Sequence, residues 1–365
     1  MKKIGLFLVA LLLVAGGAAA QPAGGEVRNV IYLIGDGMGL AHVSLLKIEN
    51  GYAPTAFDRA QGVALISTYS ANNRVTDSAA AGTALATGAK TSNGTLGLDA
   101  EGRPLRSMVA RATEQGRPTG LVATCYLQHA TPGAFYAHVP SRGDLKAITR
   151  DMLASRVDVL LGGGRKWLEK ECAEGDSYLD AFARRGYRVA ATLDEAEAAA
   201  ATPLLGALAE EHLPQAPSRG DYLPRAAATA MRLLDADAQR TGKGFVLMVE
   251  GSQIDMAAHA NDTEWLLAEM RDFERTVAAA MDFADTHPGT LVVVTADHET
   301  GGLTMPSGDK DFTRSESGID YRYGTSSHTG TLLPVYLYGA GADAIRGVMD
   351  NTELAQRIMA LLGLE

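Results

Sequence analysis

"NVIYLIGDGMG" (Asn29–Gly39) decides how the rest of the chain is read. Its first seven residues form a continuous β-prone run rather than an alternating one, the pattern of a strand covered on both faces. The run stops at an acid, Asp36, set among Gly35, Gly37 and Gly39. Glycine lets the backbone approach a ligand or a neighbouring turn closely. Open α/β sheets bind their ligands beyond the carboxyl ends of the strands. Asp36 stands at such an end.

Seven further runs have the same continuous character: 62–68 (GVALIST), 119–126 (TGLVATCY), 157–163 (VDVLLGG), 187–192 (YRVAAT), 244–250 (GFVLMVE), 290–296 (TLVVVTA) and 333–339 (LPVYLYG). Helical periodicity lies between them, most clearly at 106–116 and 263–285. Strand–helix alternation predicts an α/β fold: a mostly parallel, doubly wound central sheet with helices on both faces. No repeat or linker divides the chain, so residues 21–365 read as one domain. Residues 194–222, rich in Ala and Pro, read as a surface excursion, and the polar stretch 306–327 as a long loop.

The bulk properties exclude some functions. The 365 residues carry a formal net charge of −10 with no basic cluster, which argues against a nucleic-acid-binding surface. Lys2 and Lys3, an apolar stretch over 4–17 and small residues up to Ala20 read as a signal peptide over 1–20. The apolar stretch is short for a permanent membrane anchor. The expected location is therefore periplasmic or secreted. An oxidising compartment permits a bridge between Cys125 and Cys172, but sequence does not say whether they meet. Cys125, inside an apolar run, reads as a small buried hydrophobe.

Two other strands end as the first does. One delivers Glu250 into "EGSQID", the other Asp297 and His298 into "DHETGG". A single acid after a strand is usually a turn former; three at one sheet edge are harder to explain so. Asp255 and His259 in "IDMAAHAND" are four apart and share a helix face, as a surface pair or as zinc ligands. His328 in "SSHTG" precedes the last predicted strand. Asp36, Asp255, His259, Asp297, His298 and His328 suffice for two zinc ions. Glu250 adds part of a harder, oxygen-rich site. Two metals close together stabilise both the attacking and the leaving oxygen at phosphorus.

"VTDSAAAGTALATGAKTSNG" (75–94) then has two readings. Asp77 and Ser78 form a helix cap, or Ser78 is a nucleophile in the positive field of a helix N-terminus. "HATPGAFYAHVPSRGD" (129–144) contributes Thr131, a hydroxyl ligand, and Arg142, whose planar fork matches two phosphate oxygens. His42, His138, His212 and His287 have no partner motif and read as structural or exposed.

These motifs together resemble the bacterial alkaline phosphatases. "GDGMG", "TDSAA", "HATPGAFYAHVPSR", "VEGSQIDMAAHAND", "TADHETGG" and "HTG" occur in order from Asn29 to the last strand. The resemblance implies hydrolysis of phosphate monoesters through a phosphoserine on Ser78, with two Zn2+ and one Mg2+. Asp255, His259 and His328 would hold one zinc; Asp297, His298 and Asp36 the other. Asp36 would also bridge to magnesium held with Thr131 and Glu250. Arg142 would clamp the phosphate, oriented by Asp77. The family is commonly dimeric. Two positions are variable in the family: His129 stands where some members carry an Asp near magnesium, and Met256 where many present a hydrogen-bond donor, which Met lacks. Two alternatives are a phosphodiesterase of the same superfamily and a non-catalytic phosphate or metal binder. The superfamily's sulfatases are disfavoured, because neither cysteine begins a "C-x-P-S-R" sequence.

Overall fold

The computed structural model describes residues 25–173, 175–308 and 318–365. The predicted signal peptide, and the centre of the 306–327 stretch, lie outside them. In chain order the strands are β1 (Asn29–Gly35), β2 (Gly62–Ser67), β3 (Thr119–Tyr126), β4 (Val159–Gly163), β5 (Arg188–Ala190), β6 (Leu204–Ala207), β7 (Val246–Gly251) and β8 (Thr290–Thr295). There follow β9 (Glu299–Thr300), β10 (Leu303–Thr304), β11 (Arg322–Tyr323), β12 (His328–Thr329), β13 (Leu333–Gly339) and β14 (Gly347–Asp350).

Ten of these form one sheet in the order β14-β2-β13-β8-β1-β7-β3-β4-β6-β5. Every pairing in it is parallel except those of β13, which runs antiparallel to both β2 and β8. All residues of β1, β4, β7, β8 and β13 are buried. That explains their continuous apolar runs: with helices packed over the sheet there is no wet face to select alternation. The helices Tyr222–Thr241 and Thr263–Thr286 pack on each other and on the central strands.

All eight predicted strands are present, and helices occupy Met108–Glu114 and Thr263–Thr286. One reading is corrected. Residues 194–222 are not only a surface excursion, because β6 lies within them, fully buried between β4 and β5. A four-residue run among Ala and Pro carries too little pattern to announce a strand. The described ends of the 306–327 stretch are also tied down, with β11 pairing antiparallel to β10. Cys125 and Cys172 are both buried and free, so no bridge joins them.

β1 sits between β7 and β8, its neighbours in register from Ile34↔Glu250 and Ile34↔Thr295. The carboxyl ends of these three strands are adjacent, and the candidate chemistry gathers there.

Candidate active site

Asp36 follows β1, Glu250 lies in β7, and Asp297 and His298 follow β8. Asp255 and His259 come from the helix Gln253–His259 that leaves β7, and His328 from β12, which pairs with β9 beside His298. Among the described residues, these side chains form two of the three groups that could hold a metal ion: Asp255/His259/His328 and Asp36/Asp297/His298. In each group the ligand atoms lie within 4.8 Å of one another. Both match the sets expected from sequence.

The histidines are oriented by their second nitrogens. His259 Nδ1 lies 2.7 Å from the Ser326 carbonyl, and His328 Nδ1 lies 2.9 Å from the Thr76 carbonyl. A carbonyl only accepts, so each Nδ1 donates, and this turns both Nε2 atoms towards the site, where His259 Nε2 lies 3.3 Å from Asp255 Oδ1 and 3.2 Å from His328 Nε2. His298 is fixed by a residue that sequence reasoning missed, Thr300. Its hydroxyl donates to Asp255, so its oxygen accepts from His298 Nδ1 at 3.1 Å. His298 Nε2 then faces Asp36 Oδ1 at 3.4 Å, Asp297 Oδ2 at 3.2 Å and Ser78 Oγ at 3.1 Å. Thr300 stands inside "DHETGG", but its role depends on a contact 45 residues away.

Ser78 is 2% exposed and opens the helix Ser78–Thr87, which is buried along its whole length. Asp77 bears out the capping reading of this stretch and also reaches Arg142. Its Oδ1 caps the helix by accepting from Ala80 N–H at 2.9 Å. Its Oδ2 accepts from Gly94 N–H at 3.0 Å and from Arg142 Nη1 at 3.2 Å. The Arg142 side chain keeps 31% of its surface exposed, so one edge is held while another remains available to an anion. Its Nη2 lies 3.4 Å from His129 Nε2.

The electrostatics are those of a site short of positive charge. Asp36 Oδ1 and Oδ2, Asp297 Oδ2, Glu250 Oε1 and Thr131 Oγ1 are buried without a hydrogen-bond partner. Burial pushes the Asp36 carboxyl well above the usual carboxylate range, helped by Asp297, Asp255 and Glu250. Burial likewise pushes Glu250 up to about 7, against hydrogen bonds from Ser252 and Cys125. Burial opposes ionisation of Asp255 too, but His259, His298 and Thr300 outweigh it and hold that carboxyl low. His259, bonded to Asp255, is raised to about 9. Orphaned buried oxygens are rare and costly, about 1–3 kcal/mol each. Divalent cations are the partners that this donor set fits.

The third candidate group is Cys125/His129/Glu250. Cys125 therefore lines the site, where sequence suggested only core packing. Burial and the Glu250 carboxylate push its thiol well above the usual value. His212, read from sequence as structural or exposed, has its ring 5.9 Å from that of His129. His42 does have a structural role, its Nδ1 accepting from Gly39 N–H at 2.8 Å, and His287 stacks on Phe283 at a helix end. Gly37, between the two three-residue groups, has φ +75°, and its N–H donates to Asp297 Oδ1 at 3.1 Å. A Cβ there would sit 2.8 Å from Asp255 Cα, so no other residue fits without moving the backbone.

The chain is similar to known proteins over most of its length. The family model described as alkaline phosphatase matches residues 27–320. "Alkaline phosphatase 4" of Bacillus subtilis is 33% identical over 418 residues, covering 92% of this chain and 89% of that protein. The solved alkaline phosphatase of the Antarctic bacterium TAB5 superposes with a TM-score of 0.85 at 32% identity, covering 93% of this chain and 99% of the other. A TAB5 mutant with aspartate in place of a histidine, described with Mg bound in its M3 site, matches with a TM-score of 0.84 at 31% identity and the same coverage. None of the described helices is long and apolar enough to cross a membrane. By sequence model, by relatives across nearly their full length and by fold, the chain belongs to the alkaline phosphatase family of enzymes.

Proposed function

We propose that this chain hydrolyses small phosphate monoesters to alcohol and inorganic phosphate, with Ser78 as nucleophile, two zinc ions and a third divalent cation. The observation that carries the reading is Ser78 Oγ, 3.1 Å from His298 Nε2 at a helix N-terminus, beside Asp36 and Asp297. Asp297, His298 and Asp36 would hold one zinc, and Asp255, His259 and His328 the other. Thr131 and Glu250, with Asp36, would hold the third cation, magnesium in the family that the sequence resembles. When bound, these ions would lower the pKa of the Ser78 hydroxyl and stabilise charge on the attacking and leaving oxygens.

The remaining work falls to the chain's own residues. Arg142, braced by Asp77, grips two phosphate oxygens and points the ester oxygen away from Ser78. Ser78 Oγ bonds to phosphorus as the ester P–O bond breaks, and the alcohol leaves with a proton. Water then attacks the phosphoserine, the Ser78–phosphorus bond breaks, and the hydroxyl is restored. The helix N-terminus favours the negative charge in both steps. Enzymatic acceleration of monoester hydrolysis reaches ~10²¹ over the uncatalysed reaction, which calls for such dense preorganised charge. The reading extends to a single catalytic domain over 21–365, exported after loss of residues 1–20.

The test compares a chromogenic phosphate monoester with its diester, before chelation, after it, and with zinc and magnesium restored. Monoester cleavage that follows zinc and disappears in Ser78→Ala supports the reading. Diester preference would transfer the site to phosphodiesterase chemistry. Metal uptake without turnover on either ester would leave a non-catalytic binder.

A further inference from the structure

The third candidate metal group contains a sulfur and an imidazole, and neither belongs to the oxygen set that magnesium prefers. Cys125 Sγ donates to Glu250 Oε2 at 3.3 Å. The contact follows from register: Ala123 on β3 pairs with Glu250 on β7, and Cys125 lies two residues further along the same strand. Cys125 is also held by its backbone, whose N–H donates to Ser252 Oγ at 3.1 Å. Facing it, Glu250 Oε1 is buried without a partner, and so is His129 Nδ1. Sulfur, nitrogen and carboxylate atoms thus converge within 4.8 Å. Asp36 and Thr131 contribute further orphaned buried oxygens at the same sheet edge.

We propose that Cys125 is a ligand of the third metal position, and that with His129 and Glu250 it makes this position select an ion of the zinc class over magnesium. This rests on the three-metal reading above and sharpens its third site. Thiolate and imidazole bind zinc-class ions, whereas magnesium takes oxygen ligands in a near-ideal octahedron and gains nothing from sulfur. Binding replaces the Sγ–H bond by an Sγ–metal bond and releases the proton to solvent; no electrons are transferred. Coordination through His129 Nδ1 puts the ring proton on Nε2. That ends its 3.4 Å contact with Arg142 Nη2 and leaves the guanidinium to Asp77 and an incoming anion.

The test uses the full mature chain, stripped by chelation with its thiols reduced, then titrated with Co2+ in excess Mg2+. The expected result is three bound Co2+, the last bringing a near-ultraviolet sulfur-to-cobalt charge-transfer band. Cys125→Ser should lose the band, keep the visible bands of the first two equivalents, and bind Zn2+ at the third position about 10–100-fold more weakly. Cys172→Ser should keep the band, and Cys125→Ala, judged folded by its melting curve, should lack it. A third cobalt without the band, or a band that survives in Cys125→Ser, overturns the proposal. So does a third position that stays with magnesium throughout. None of these readouts needs turnover. The first two cobalt equivalents report on the histidine sites separately, so failure of the proposed function is distinguishable from failure of this inference.

Discussion

Two buried clusters of acids lie in this molecule and are handled in opposite ways. In the first, Glu269 and Asp272 on the helix Thr263–Thr286 meet Arg219, with side chains 1%, 0% and 1% exposed. Arg219 Nη1 donates to Glu269 at 3.0 Å and Nη2 to Asp272 at 2.7 Å. Trp265 Nε1 adds a bond to Glu269 and Arg275 one to Asp272, both at 2.8 Å. In the second, at the ends of β1, β7 and β8, Asp36, Glu250 and Asp297 carry oxygens with no hydrogen-bond partner among the described residues. Burial is equal in the two places; pairing is not. A cluster closed by protein cations is architecture, and one left open calls for a cation from solution.

The comparison breaks most sharply at Asp297. Asp297→Asn should lower monoester turnover by on the order of 10³-fold or more, the several kcal/mol that a bound cation contributes. The same change should raise the melting temperature of the metal-stripped protein, since it removes one of several crowded buried charges. A lower melting temperature in the stripped variant would show that these acids are already satisfied. At the closed cluster the signs reverse. Arg219→Met strands two buried carboxylates and should cost about 3–5 kcal/mol in urea unfolding while leaving zinc content unchanged.

Smaller effects sharpen the picture. Arg142→Ala removes charged hydrogen bonds worth about 1.5–3 kcal/mol, so kcat/KM should fall about 10–100-fold, with weaker phosphate inhibition and an unchanged melting curve. The smallest effect belongs to a surface acid. Asp58 is held down to about 2 by a hydrogen bond from Lys47, then by the Thr55 backbone. Because its folded pKa is depressed, it contributes stability above its unfolded pKa near 4 and loses it as pH falls through about 2. Asp58→Asn should remove only that portion of the acid dependence in melts between pH 5 and 2.

The parts readable from sequence share a physical reason. A strand buried on both faces writes itself as a continuous apolar run, so β1, β7 and β8 and the acids at their ends were visible. The i, i+4 spacing of Asp255 and His259 was visible for the same reason, since a helix turns it directly into proximity. What escaped depends on packing between distant segments. Nothing local says that β13 runs against its neighbours, or that β6 lies in the sheet. Cys125 and Thr300 escaped too, because the partners that matter to each, Glu250 and Asp255, come from other strands and helices. The Arg219 cluster, joined across 50 and 53 residues, left no local mark either.

Gly37 carries a consequence for anyone who would evolve this enzyme. A Cβ added there would lie 2.8 Å from Asp255 Cα, and the residue sits in a left-handed turn. A saturation library should therefore return a single letter at this position, whatever the selection. Tolerance belongs instead to the partly exposed Met256, Tyr126, Trp167 and His212. The turn between the acids is the fixed point around which any such selection has to work.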